Sequence, residues 1–129
     1  NNKKEKKVDY IFDNERPIYI QLVEQFKIYI ISGKIKPGER LLSVRELALQ
    51  TKVNPNTIVR AYQELEREGV TETRRGMGTF IVDSDKNSIL QMKNSIGKTF
   101  VQEFIKKMHE VGVTDAEIIN LVKESIGEK

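Results

Sequence analysis

Apolar residues recur at helical spacing along most of this 129-residue chain, and the period switches once to the alternation of strands. Behind Pro17, residues Ile18, Leu22, Phe26 and Ile30 follow at intervals of four, with Tyr19 and Val23 widening the stripe. This predicts a helix with a broad buried face that ends at Gly33, and a turn at Lys36-Pro37-Gly38-Glu39. Between Leu42 and Gly69 the pattern predicts two short helices, each with its own start signal. Ser43 and Glu46 form a capping box, stapled by Leu42 and Leu47. Asn54 caps the second helix, Pro55 takes its first position, and Val53 and Ile58 form the staple. Val44, Leu47 and Ala48 face inward on the first of the pair, and Ile58, Ala61, Tyr62 and Leu65 on the second. Gly69 is a left-handed stop.

The residues opposite that second stripe are Asn56, Arg60, Gln63 and Arg67, a narrow outer arc of polar and basic side chains without an acid. After Gly69, Val70–Arg75 and Thr79–Val82 are β-branched and aromatic around Gly76-Met77-Gly78, a hairpin signal. From Ser84 to Val111 one long helix is expected, with Ile89, Met92, Ile96, Phe100, Phe104 and Met108 on a single stripe. Thr114 and Glu117 then form a third capping box and open a last helix. The fold class is therefore mainly α with a small β-hairpin wing. Residues 1–13 read as a disordered basic tail and 14–82 as a winged helix-turn-helix domain. Residues 83–129 read as a short C-terminal two-helix region. Some 45 residues are too few to enclose a core of their own, so the apolar stripe needs a partner. A second copy is the favoured one, which makes Ile89, Met92, Ile96, Phe100, Phe104 and Met108 the expected dimer interface.

Charge sharpens this picture only through its distribution. The net charge of +3 divides into +1 over residues 1–13, +3 over 14–82 and −1 over 83–129, so the middle is the basic part. The chain has no cysteine, which excludes disulfides and thiol chemistry. No apolar run approaches the roughly 20 residues of a membrane span, and no hydrophobic segment follows the N-terminal lysines. A cytoplasmic protein without a membrane partner is expected.

An enzyme lacks its parts here. The single histidine, His109, sits among Lys106, Lys107 and Glu110 and reads as a surface or interface residue; no metal-ligand spacing surrounds it. Ser43 is explained as a cap, and no helix start follows Gly76-Met77-Gly78 as a phosphate loop would require. No cofactor and no metal are expected. Nucleic acid is better served. A helix fits the major groove with its N-terminal residues at base edges, which places Asn54, Asn56 and Thr57 there, with Arg60 and Gln63 one and two turns on. Ser43 and Arg45 begin the supporting helix, where backbone contacts belong. Arg74, Arg75 and Gly76 put the wing at the minor groove or at phosphates.

The stretch ERLLSVRELALQTKVNPNTIVRAYQELEREGV followed by RRGMGTFIV resembles the DNA-binding domain of GntR-family bacterial regulators. Its Asn-Pro-Asn-Thr start and short C-terminal helices are most similar to the YtrA-like subfamily. The resemblance implies a homodimeric transcription regulator, a repressor, on a pseudo-palindromic operator of double-stranded DNA. It also implies dimerising C-terminal helices without a large effector pocket, and a transporter operon as the expected target. Whether a small molecule is sensed stays open. Ser43, Arg45, Thr57 and Gly76 match positions that contact DNA in the family. Three features depart from it: Leu42 replaces the usual proline, Lys52 replaces a common turn glycine, and Pro55 and Val59 stand where some branches carry arginines. Base contacts are therefore assigned to Asn54, Asn56, Arg60 and Gln63. The competing reading is a winged-helix module that binds protein; the outer arc lacks the aromatic anchors such a surface uses.

Overall fold

The computed structural model describes residues 8–83 and 85–127. The basic stretch 1–7 and Ser84, the expected start of the long helix, lie outside the described residues. The elements run α1 (Ile18–Ile31), α2 (Val44–Thr51), α3 (Pro55–Arg67), β1 (Thr71–Arg74), β2 (Gly78–Ile81), α4 (Lys86–Glu110) and α5 (Asp115–Ile126). They form two compact units, one up to Met92 and one from Lys93 onward.

In the first unit α1 packs across α3, and α2 packs beside it. Leu22, Val23, Phe26 and Ile30 of α1 meet Leu47 of α2 and Ile58, Ala61, Tyr62 and Leu65 of α3 in one core. The expected inward faces are the observed ones because each stripe is apolar at the helical period. The Ser43–Glu46 box is closed at both ends: the Glu46 N–H donates to Ser43 Oγ at 3.1 Å, and the Ser43 N–H donates to Glu46 Oε1 at 2.8 Å. The Thr114–Glu117 box opening α5 is closed in the same way.

The hairpin pairs Thr71 with Ile81, Glu72 with Phe80, Thr73 with Thr79 and Arg74 with Gly78. A third segment, not foreseen from the pattern, completes the wing. Arg40 bridges Phe80, and the N–H groups of Gly38 and Leu41 donate to Ile81 and Thr79 at 2.8 Å each. The segment is too short, and too interrupted by Pro37 and Gly38, to carry a strand period. Gly78 is required by it: at φ 122° a Cβ there would lie 3.3 Å from Arg40 Cδ.

The expectation of a disordered tail over residues 1–13 is corrected for its second half. Val8–Asp13 is strapped to the first unit. The Tyr10 ring lies 5.4 Å from Phe26 and 5.6 Å from Tyr29, and Phe12 packs on the core. Gln25 exchanges two hydrogen bonds with the backbone of Ile11, Gln50 donates to the Val8 carbonyl, and the Tyr29 hydroxyl donates to that of Asp9. Gln21, itself buried, serves Asp13 and Arg16. The binding groups are amides and a tyrosine on α1 and α2, which helical periodicity cannot flag.

The boundary expected after Val82 falls instead inside α4, because Ile89 and Met92 pack against the first unit's core. In the second unit Ile96 and Ile118 are the buried apolar residues. His109 ends α4 with its Nε2 2.6 Å from Asp115 Oδ1 at the start of α5.

Candidate nucleic-acid interface

Helix α3 presents Asn56, Arg60, Gln63 and Arg67 on its exposed face, opposite the buried stripe. The cap geometry organises its N-terminus. Asn54 Oδ1 accepts the Asn56 N–H at 2.8 Å, and Pro55 occupies the first turn where no N–H is needed. Thr57 is half-buried just behind. Arg45 of α2 is exposed and lines one shallow depression with Lys52, Asn54 and Pro55, so the starts of the two helices share a surface. Ser43 is exposed at the α2 terminus. Its oxygen accepts the cap bond from the Glu46 N–H. Lys52 takes the left-handed conformation, φ 60°, between the helices, as the missing turn glycine implied.

The arginines expected on this side behave differently. Arg67 is turned to its own helix: its Nε donates to Glu64 at 3.0 Å and its Nη2 pairs with Glu64 and Glu68. The arc that reads as acid-free in sequence is thus neutralised at its C-terminal end. The hydrogen bonds from Arg67 lower the Glu64 carboxyl to about 2. Arg74 on the wing pairs with Glu72 at 2.8 Å and stacks on Phe80, its Cζ 4.2 Å from the ring centroid. Arg75 and Gly76 occupy the exposed hairpin loop between the strands, with Gly76 at φ 75°. Arg60 is exposed, and its Cζ lies 3.9 Å from the centroid of the Tyr19 ring on α1.

The face therefore brings together Ser43, Arg45, Asn54, Asn56, Arg60 and Gln63 on one two-helix head, with Arg75 and Gly76 on a separate hairpin beyond β1. Sequence periodicity assigned Tyr19 to the core and missed its second use. Only its proximity to a cation on another helix reveals it. Among the described residues no group of histidine, cysteine and carboxylate side chains could hold a metal ion.

The sequence pattern of "Bacterial regulatory proteins, gntR family" matches residues 18–81, which span α1 through β2. The Bacillus subtilis (strain 168) protein described as "Uncharacterized HTH-type transcriptional regulator YhcF" is 43% identical over 117 residues, covering 90% of this chain and 95% of the relative. The chain belongs to the GntR family. Within it, "HTH-type transcriptional repressor YtrA" of the same organism is 42% identical over 108 residues, covering 84% and 83%. A solved "GntR family transcriptional regulator from Listeria monocytogenes" superposes with a TM-score of 0.70 at 42% identity, over 88% of this chain and 98% of that one. This GntR regulator is a winged helix-turn-helix protein of the YtrA type and not an enzyme. Among its described residues no helix is long and apolar enough to cross a membrane.

Proposed function

We propose that this chain is a homodimeric transcription repressor that reads a pseudo-palindromic operator with α3 of each copy. The observation that carries it is the exposed head of α2 and α3. Asn56 and Gln63 can pair with base edges there, Arg60 is held beside them, and Ser43 and Arg45 stand where phosphates run. The wing adds Arg75 and Gly76, with Arg74 restrained by Glu72. The relative named as a repressor supports the sign of regulation, and the YtrA-like resemblance makes a transporter operon the first target to examine.

Dimerisation rests on exposed apolar surface. Of the twelve large exposed hydrophobics among the described residues, eight lie on α4, α5 or the turn between them, including Phe100 at 44% and Phe104 at 39% exposure. Met108 is half-buried on the same stripe, whereas Ile96, also expected at the interface, is already buried within the chain. Ile89 and Met92 serve as the stripe's anchor to the winged unit. Two copies joined there would set two recognition helices about 34 Å apart, one turn of DNA. The same reading places the protein in the cytoplasm.

Gel retardation on fragments of the source genome at two salt concentrations tests the proposal. Specific binding that weakens steeply with salt is expected, and no retardation at low salt overturns it. Arg45→Ala should weaken all sequences alike, whereas Asn56→Ala should relax preference at one half-site position. Phe100→Asp with Phe104→Asp should give a monomer by sedimentation and much weaker operator binding. A doubly substituted protein that still dimerises refutes the interface.

A further inference from the structure

The arginines on this surface are restrained in two ways. Arg67 is held by carboxylates and Arg74 by Glu72 together with the Phe80 ring, and in both the carboxylate cancels the charge. Arg60 is held by a ring: its guanidinium carbon stands 3.9 Å from the Tyr19 centroid, and among the described residues no carboxylate pairs with it. The difference is chemical. With its carbon over the π face, the guanidinium spends none of its five N–H donors on a carboxylate. It is immobilised without losing its charge or its donors. Tyr19 is suited to this because it is fixed from behind, partly buried and packed against the core of α1 and α3.

We propose that Tyr19 is a positioning residue for DNA recognition, whose ring holds the Arg60 guanidinium ready for a planar acceptor on the duplex, a phosphate or a guanine edge. The proposal rests on the DNA-binding reading above. It makes α1 part of the reading apparatus although Tyr19 itself contacts no base. Restraining a rotamer-rich side chain before binding removes part of the ordering cost at the interface.

The test uses the full chain and a labelled duplex that the wild-type protein selects from a random pool, with a scrambled duplex beside it. Tyr19→Leu keeps an apolar side chain against the core and removes the ring. Affinity should fall about two- to fivefold, the range of an exposed cation–π contact. Tyr19→Phe should bind as the wild type does. In an Arg60→Ala background, Tyr19→Leu should cost nothing further. Loss on both duplexes assigns Arg60 to phosphates, and loss on the selected duplex alone assigns it to a base edge; either supports the positioning role. If Tyr19→Leu costs the same with and without Arg60, the ring acts through packing and the proposal fails. Melting curves verify folding, and Tyr19→Met replaces Tyr19→Leu if the latter unfolds. A wild-type protein that selects no duplex defeats the DNA-binding reading itself. An Arg60→Ala protein that binds normally overturns the role of Arg60, and with it that of Tyr19, while leaving DNA binding intact.

Discussion

The Tyr62 hydroxyl donates to the Leu42 carbonyl oxygen at 2.6 Å, tying the middle of the recognition helix to the residue just before the supporting helix. The two helices of the motif are capped separately, so this bond is one of the few polar links that set their relative placement. Tyr62 also stacks edge-on against Phe26 of α1 at 5.7 Å, and burial pushes its phenol above the ordinary range. It stays a neutral donor throughout the useful pH range.

Tyr62→Phe keeps the ring and removes only the donor. The protein should lose about 1 kcal/mol, the usual net worth of such a bond. For a unit of this size that is a melting temperature lower by about 4–8 °C. Calorimetry checks it, and an unchanged midpoint would show that water replaces the bond at no cost.

Lys52 holds a left-handed backbone that costs a side-chain-bearing residue roughly 1 kcal/mol. Lys52→Gly should therefore raise stability by up to about 1 kcal/mol, since the relief exceeds the added entropy of the unfolded chain. A lower denaturation midpoint would mean that the lysine side chain supplies something the backbone argument omits.

Thr71 Oγ1 is buried without a hydrogen-bond partner at the start of β1, opposite Ile81. A buried hydroxyl left unpaired is expensive, and valine has nearly the same shape. Thr71→Val should stabilise the wing by about 1 kcal/mol, read as a higher urea midpoint at constant slope. Destabilisation would reveal a polar role for Thr71.

The carboxyls of Glu46 and Glu117 are lowered by the backbone N–H groups of Ser43 and Thr114 that they accept. A carboxyl with a folded pKa below its unfolded value adds stability that is complete above the unfolded value, near 4.3, and is lost as pH falls through the folded one. Amide exchange at Ser43 and Thr114 should therefore quicken relative to the core below about pH 4. Glu46→Gln, which can still close the box, should remove that dependence at Ser43. Persistence of the acid response in Glu46→Gln would place its cause elsewhere.

Local grammar carried the helices of this regulator. Three caps, their staples and the apolar periods are written within a few residues of one another, and each element forms where its own signals lie. The outer face of α3 was legible for the same reason, since a helix's exposed side is the complement of its buried one. What periodicity could not supply is everything that depends on two distant segments meeting. The strap over Val8–Asp13 exists because Gln21, Gln25, Tyr29 and Gln50 find backbone partners up to 42 residues away. Arg40 completes the wing across a similar separation. The fate of Arg60 was decided the same way. Arg67 and Arg60 share the outer face of α3, yet Arg67 is spent on Glu64 three residues back on its own helix, a local pair, while Arg60 is lifted onto Tyr19 of α1. Sequence alone determined which residues face outward. Only the tertiary structure decided that Arg60 is held by a ring, because Tyr19 lies on another helix that packing alone brings within reach.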